Sequence, residues 1–165
     1  MASKPIPDGL HTVTPYVMVE NAQALLNFVT KVFDAGQREL IQRPDGKIGH
    51  AEVIIGDSVI MMADKPPQGD AMPASLYVYV DDTDARYRRA LDAGATSVME
   101  PADQFYGDRN AGVKDPTGNI WWIATHIEDV PPDELARRAK AQMEQRSNRR
   151  EIDEEPGSSK LGHYP

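Results

Sequence analysis

Apolar positions in this chain alternate between a strand-like and a helical register, and the order of the registers is written twice. Residues 12–19 are short, apolar and β-branched, as a strand requires. Leu25, Phe28, Val29, Val32 and Phe33 then recur at helical spacing behind Asn21, which can cap the helix start. Gly36 is expected to supply the left-handed residue that ends the helix. Residues 38–43, 48–55 and 58–63 follow as three strands joined by turns at Pro44-Asp45-Gly46 and Gly56-Asp57. The second copy runs through strand 76–80, a helix over 83–93 with Tyr87 and Leu91 on one face, strand 96–100, a polar and aromatic connector over 104–110, and strands 111–114 and 119–125. Phe33-Asp34-Ala35-Gly36 returns as Leu91-Asp92-Ala93-Gly94 at the corresponding place. Residues 64–73, rich in Pro and Gly, read as the linker. Two such halves, each too small to bury its own sheet, are expected to pair around one site.

Composition narrows the picture. Apolar content of 40 % reflects an ordinary core diluted by a polar C-terminal stretch. There Leu135, Ala139, Gln142 and Met143 form a weak helical stripe over 131–147, expected to lie across the body or a partner subunit, and 148–165 has the composition of a disordered tail. Net charge is −8, and its whole excess lies in residues 1–130, with 11 basic against 19 acidic side chains. That balance disfavours nucleic acid and anionic membrane as partners. With no cysteine, disulfides, zinc thiolates and thiol nucleophiles are excluded. Neither a signal-like start nor a long apolar run occurs, so a cytoplasmic protein is expected.

Five segments, in order, carry a resemblance: Thr14-Pro15-Tyr16, residues 48–52, residues 60–64, residues 104–109, and Asp115-Pro116-Thr117-Gly118-Asn119. Together with the doubled βαβββ pattern they make residues 11–130 resemble the vicinal oxygen chelate superfamily of glyoxalases, bleomycin resistance proteins and dioxygenases, and within it the PhnB-like branch. The resemblance implies an α+β fold: two modules, 12–63 and 75–126, forming a curved, mostly antiparallel sheet around a cleft, as a homodimer. In metal-dependent relatives such as glyoxalase I, it further implies four ligands from the first and fourth strands of each module. Those positions fall here at Thr14, Met61, Ser75 and Trp122, none of which suits a divalent first-row metal. No metal and no cofactor are therefore expected.

Alternation about those positions aims Tyr16, Met18, Met61, Tyr77, Tyr79, Trp122 and His126 inward, giving aromatic and Met-lined walls suited to a planar organic ligand. His50 and Glu52 also face inward. They read either as a general acid/base or ligand anchor, or as a histidine held by a nearby carboxylate at a sheet edge. In the 104–109 connector, Tyr106 is expected at the rim of a lid, and Asp108 is expected to pair with Arg109 or a turn amide. His11 and His163 are given no role.

The function expected is metal-free binding of a small aromatic or hydrophobic molecule, an antibiotic or secondary metabolite, with sequestration as one outcome of that binding. Antibiotic resistance is the biological setting this suggests. A cationic ligand such as bleomycin fits poorly, since the inward set is mainly neutral. The alternative is a lyase, isomerase or dioxygenase using His50 and Glu52 or a metal held elsewhere.

Overall fold

Residues 4–154 are described by a computed structural model. The first half forms β1 (Tyr16–Val19), α1 (Ala22–Phe33), β2 (Gly36–Gln42), β3 (Ile48–Ile55) and β4 (Ser58–Asp64). The second forms β5 (Ser75–Tyr79), α2 (Thr83–Asp92), β6 (Thr96–Asp103), β7 (Asp108–Lys114) and β8 (Ile120–His126), and α3 (Pro132–Glu154) follows. Each half makes a four-stranded sheet in the same order, β1-β4-β3-β2 and β5-β8-β7-β6. In both sheets the first and last strands pair in parallel and the other pairs are antiparallel. This is the α+β architecture expected, built as two open ladders.

The helix starts are held the same way in both halves. Asn21 and Asp82 cap α1 and α2 from the local sequence. A side chain from the last strand of each module completes the job. Asp64 accepts from Ala22 N–H at 3.0 Å, and Thr125 accepts from Thr83 N–H at 3.1 Å. Asp64 therefore belongs to β4 and not to the linker, where it also accepts from Ile48 N–H at 2.7 Å.

The helix ends differ. Gly94 is left-handed (φ 94°), but in the first copy that conformation falls on Asp34 (φ 54°), while Gly36 already lies in β2. An aspartate tolerates this region better than most non-glycine residues, and here its carboxylate is also used: Arg89 donates to it at 2.7 Å, and Arg86 donates both to it and to the Val32 carbonyl. Two arginines of α2 thus grip the end of α1. They hold the Asp34 carboxyl well below the usual carboxylate range.

The core lies between these helices and the sheets. Trp121, 1 % exposed, reaches from β8 into the first module, with its ring centroid 5.0 Å from Phe33 and 6.2 Å from Phe28. Its indole N–H donates to Asp115 at 2.8 Å. The same carboxylate accepts from Thr117 and Asn119, so the Asp-Pro-Thr-Gly-Asn turn exists to hold one buried acceptor under the tryptophan. In α2, Tyr87 is buried as expected, but Leu91 faces solvent.

Two further expectations change. The 104–110 connector shrinks to a tight turn, because β6 extends to Asp103 and β7 begins at Asp108; Gly107 N–H donates to the Gln104 carbonyl at 3.1 Å. No lid is built there. The final helix runs to Glu154, past the expected end at 147; of its weak stripe Leu135, Ala139 and Gln142 are half-buried and Met143 is exposed. Arg138 ties its first turns down through Glu128 and the Phe105 carbonyl. The remainder of the expected tail lies outside the described residues. Among the described residues no helix is long and apolar enough to cross a membrane.

Trp121→Ala is expected to cost about 3–5 kcal/mol, the usual range for deleting a buried aromatic, whereas Trp122→Phe should cost much less. Urea denaturation of both variants checks this, and equal losses would refute a core shared through Trp121.

Candidate functional site

Alternation along three strands of the second sheet puts Tyr77 and Tyr79 (β5), Asp108 and Asn110 (β7), and Trp122 and His126 (β8) on one face. Asp108 is nearly buried and organises them. It accepts from the Tyr77 and Tyr79 hydroxyls at 2.8 and 3.1 Å and from His126 Nδ1 at 2.9 Å. Burial pushes the Asp108 carboxyl up, but the hydrogen bonds from His126 and the two tyrosines outweigh burial and leave it below its ordinary value. Burial and the adjacent carboxylate push the Tyr77 and Tyr79 phenols up, so both stay protonated donors. The expected pairing of Asp108 with Arg109 does not form, because Arg109 turns to Asp84 and Asp103.

Held by the hydroxyl ends, the two tyrosine rings stay open to solvent. Tyr77 is 43 % and Tyr79 64 % exposed, with ring centroids 5.3 Å apart. They form one wall of a cleft of about 390 Å³ between the modules, whose other wall includes Val13, Pro15 and Ile60. Behind Tyr77 a second pocket of about 270 Å³ is lined by Met99, Gln104, Tyr106, Asn110 and Trp122. The Trp122 ring lies close against Gly112, where an added Cβ would fall 2.7 Å from it. Its indole N–H donates to Ser75 Oγ at 3.1 Å.

In the first module, Tyr16 meets His50 edge-on at 6.1 Å, and His50 Nε2 lies 3.5 Å from Glu52. Met18 and Met61 stand half-buried on the neighbouring strands β1 and β4. A bulge between Gln37 and Glu39 brings Arg38 and Glu39 toward the same face, the usual effect of an extra residue in a strand. Arg38 Nε lies 3.2 Å from Glu52, and Glu39, His50 and Glu52 hold their ligand atoms within 4.8 Å of one another. These three could share a divalent cation, although Arg38 already supplies positive charge to Glu52. Glu39 was missed in the sequence because a bulge shifts alternation by one residue.

The registers Tyr16↔Met61 and Tyr77↔Trp122 set the first and last strands of the two modules in the same alignment. Thr14 then matches Ser75 and Met61 matches Trp122, the four positions that the resemblance sets against the ligands of metal-dependent relatives. They do not fit a metal here. Ser75 and Trp122 are bonded to each other, and Thr14 Oγ1 donates to the His11 carbonyl at 3.1 Å.

The nine residues expected to bind ligand fall into two groups. Tyr77, Tyr79, Tyr106, Trp122 and His126 share the second module's network and pockets, and Tyr16, Met18, His50 and Met61 line the first sheet. Asn110, which helps organise the second group, was not singled out in the sequence, and Asp108 was given only a local pairing. The strand there starts three residues earlier than the hydrophobic pattern shows, because its inward positions are polar.

Comparison with known proteins places this arrangement. Residues 9–123 match the model of the Glyoxalase/Bleomycin resistance protein/Dioxygenase superfamily, and the chain belongs to that family. A Mycobacterium bovis protein, Mb0911c, is 34 % identical over 141 residues, covering 79 % of this chain and 93 % of its own. Among solved structures, TioX from Micromonospora sp. ML1 is 24 % identical, with a TM-score of 0.57 over 70 % of this chain and 99 % of its own. The PhnB protein of Bacillus cereus is 18 % identical, with the same TM-score over 70 % and 99 %. Both share the fold.

His126 is bracketed by Asp108 and, at 3.0 Å, Asp129, and these two hydrogen bonds raise its pKa above the ordinary value near 6.5. The pair therefore stabilises the fold fully below that ordinary value, and the contribution is lost as pH rises through the raised one. Following the imidazole by NMR should show titration above 6.5 in the parent and a downward shift in Asp129→Asn; an unchanged value in the variant would break the assignment.

Proposed function

We propose that this chain binds, and by binding sequesters, a small aromatic or hydrophobic molecule of antibiotic or secondary-metabolite type, in the cleft between its modules and without a metal. The observation that carries this reading is the Tyr77–Tyr79 pair. Two large aromatic side chains stand open on a cleft wall while one buried carboxylate fixes their hydroxyls, so their faces are ordered before any ligand arrives. Such preorganisation reduces the side-chain entropy lost on binding. Trp122, Tyr106 and His126 extend the same surface, and Tyr16, Met18, His50 and Met61 offer a second one. Family membership is compatible with binders and enzymes alike. The binder acts as a cytoplasmic homodimer in this reading, which light scattering at micromolar concentration tests directly.

A second reading, an enzyme of the lyase, isomerase or dioxygenase kind, is favoured by one observation: Glu39 joins His50 and Glu52 in a three-donor cluster. Two measurements separate the readings. A panel of aromatic compounds is titrated against the protein, following Trp122 fluorescence with Trp122→Phe as control, and the compound is analysed afterwards. Binding predicts quenching, recovery of the compound unchanged, and affinity about tenfold weaker in Tyr77→Ala. Stoichiometric Fe, Mn, Ni or Zn that disappears in Glu39→Gln, or turnover lost in His50→Ala, would replace the binding reading with the enzymatic one.

A further inference from the structure

Asn110, one of the residues lining the pocket behind Tyr77, carries a buried polar atom whose hydrogen-bonding capacity is unused. Asn110 is 2 % exposed, and its Oδ1 has no partner. Buried side-chain carbonyls are ordinarily satisfied, so an orphan at the back of a pocket points to something absent from the free protein.

Which end of the amide is the orphan follows from its neighbours. The Tyr77 hydroxyl spends its proton on Asp108, so its oxygen can only accept from Asn110. Nδ2 must therefore be the atom 2.7 Å from Tyr77, and it also reaches the Tyr106 hydroxyl at 3.3 Å. Reversing the amide would set Oδ1 against an oxygen with no proton to give. The orientation is thus anchored by the Asp108 carboxylate through Tyr77, and Oδ1 is left as an acceptor.

The surroundings define what can reach it. The six-membered ring of Trp122 lies close to Gly112 and its N–H is used on Ser75, while the side chain also lines the pocket. Met99 and Tyr77 add apolar walls, and Gln104 and Tyr106 the remaining polar tips. At about 270 Å³ the space lies at the small end of ligand pockets and suits one or two fused rings. An anion is disfavoured, because the orphan is an acceptor and Asp108 lies one strand register away with its negative charge. Asn110 also matches His50 in the first module, so each sheet carries a polar side chain at this inward position.

Resting on the aromatic-binding reading above, we propose that this pocket selects a neutral or cationic planar aromatic compound bearing a ring N–H or hydroxyl, stacked on Trp122 and donating to Asn110 Oδ1.

Indole and benzofuran test this directly, since they share shape and size and differ in the donor. Isothermal titration of the full chain should show indole binding about tenfold tighter or more, as expected when one compound satisfies the acceptor and the other sets an oxygen against it. Tyr106→Phe should keep that preference, because Tyr77 still fixes the amide; Asn110→Leu should erase it while benzofuran binding persists. Equal affinity of the two compounds for the parent protein, the result expected if a water fills the acceptor, overturns the assignment of Asn110 and leaves the aromatic cleft standing. Loss of the preference in Tyr106→Phe moves the acceptor to that hydroxyl and overturns it as well. No binding of either compound, together with no binder in the wider panel, overturns both the proposal and the reading beneath it.

Discussion

The packing of Trp121 against Phe28 and Phe33 is the constraint from which the rest of the molecule follows. Neither sheet closes on itself, and the sheets share no ladder, so the modules are held by what crosses between them. An indole from β8 fills the space under α1, and the Asp34 carboxylate closes the helix ends over it with Arg86 and Arg89. The asymmetry of the helices fits this arrangement. α1 buries seven side chains, α2 only three, because the second module contributes its sheet to a core whose helix is supplied by the first. With the convex side settled in this way, the opposite faces are free to diverge.

Their divergence is coupled. Met61 and Trp122 occupy matching positions, as do Glu52 and Gly112, and His50 and Asn110. An indole can lie on the second sheet only because the residue beneath it has no side chain, so the change from methionine to tryptophan and the change from glutamate to glycine are one event sterically. The first sheet keeps its buried glutamate and spends the space on a charged cluster. The second replaces charge with aromatic surface around a single carboxylate. One scaffold thus carries two chemically different faces, and the aromatic one has the ordered, partly exposed rings that ligand contact requires.

Much of this was legible in the chain. The doubled order of elements and the helix start at Asn21 follow from apolar spacing and capping chemistry, and the inward set on β5 and β8 follows from alternation once the resemblance says which face is inward. What escaped has physical causes. The left-handed residue after α1 is Asp34 because two arginines 52 and 55 residues away stabilise it there, which no local rule contains. The start of β7 was hidden because Asp108 and Asn110 are polar residues in buried positions, legible only once Tyr77, Tyr79 and His126 are known to satisfy them. Glu39 joined its cluster through a bulge, and bulges leave little trace in a hydrophobic pattern.

The ties from strand end to helix start have a kinetic meaning. Ala22 to Asp64 and Thr83 to Thr125 are both separations of 42 residues, so in each module the helix N-terminus is completed only when the last strand arrives. Bringing such distant points together must precede the reward for doing so, which makes the search for each module's topology a non-local one. During synthesis, a chain that has emerged through α1 but not β4 lacks both the partner strand of β1 and the carboxylate that secures the helix. Each module's topology is therefore complete only at its final strand, and Trp121 of the second then fills the core under α1 of the first.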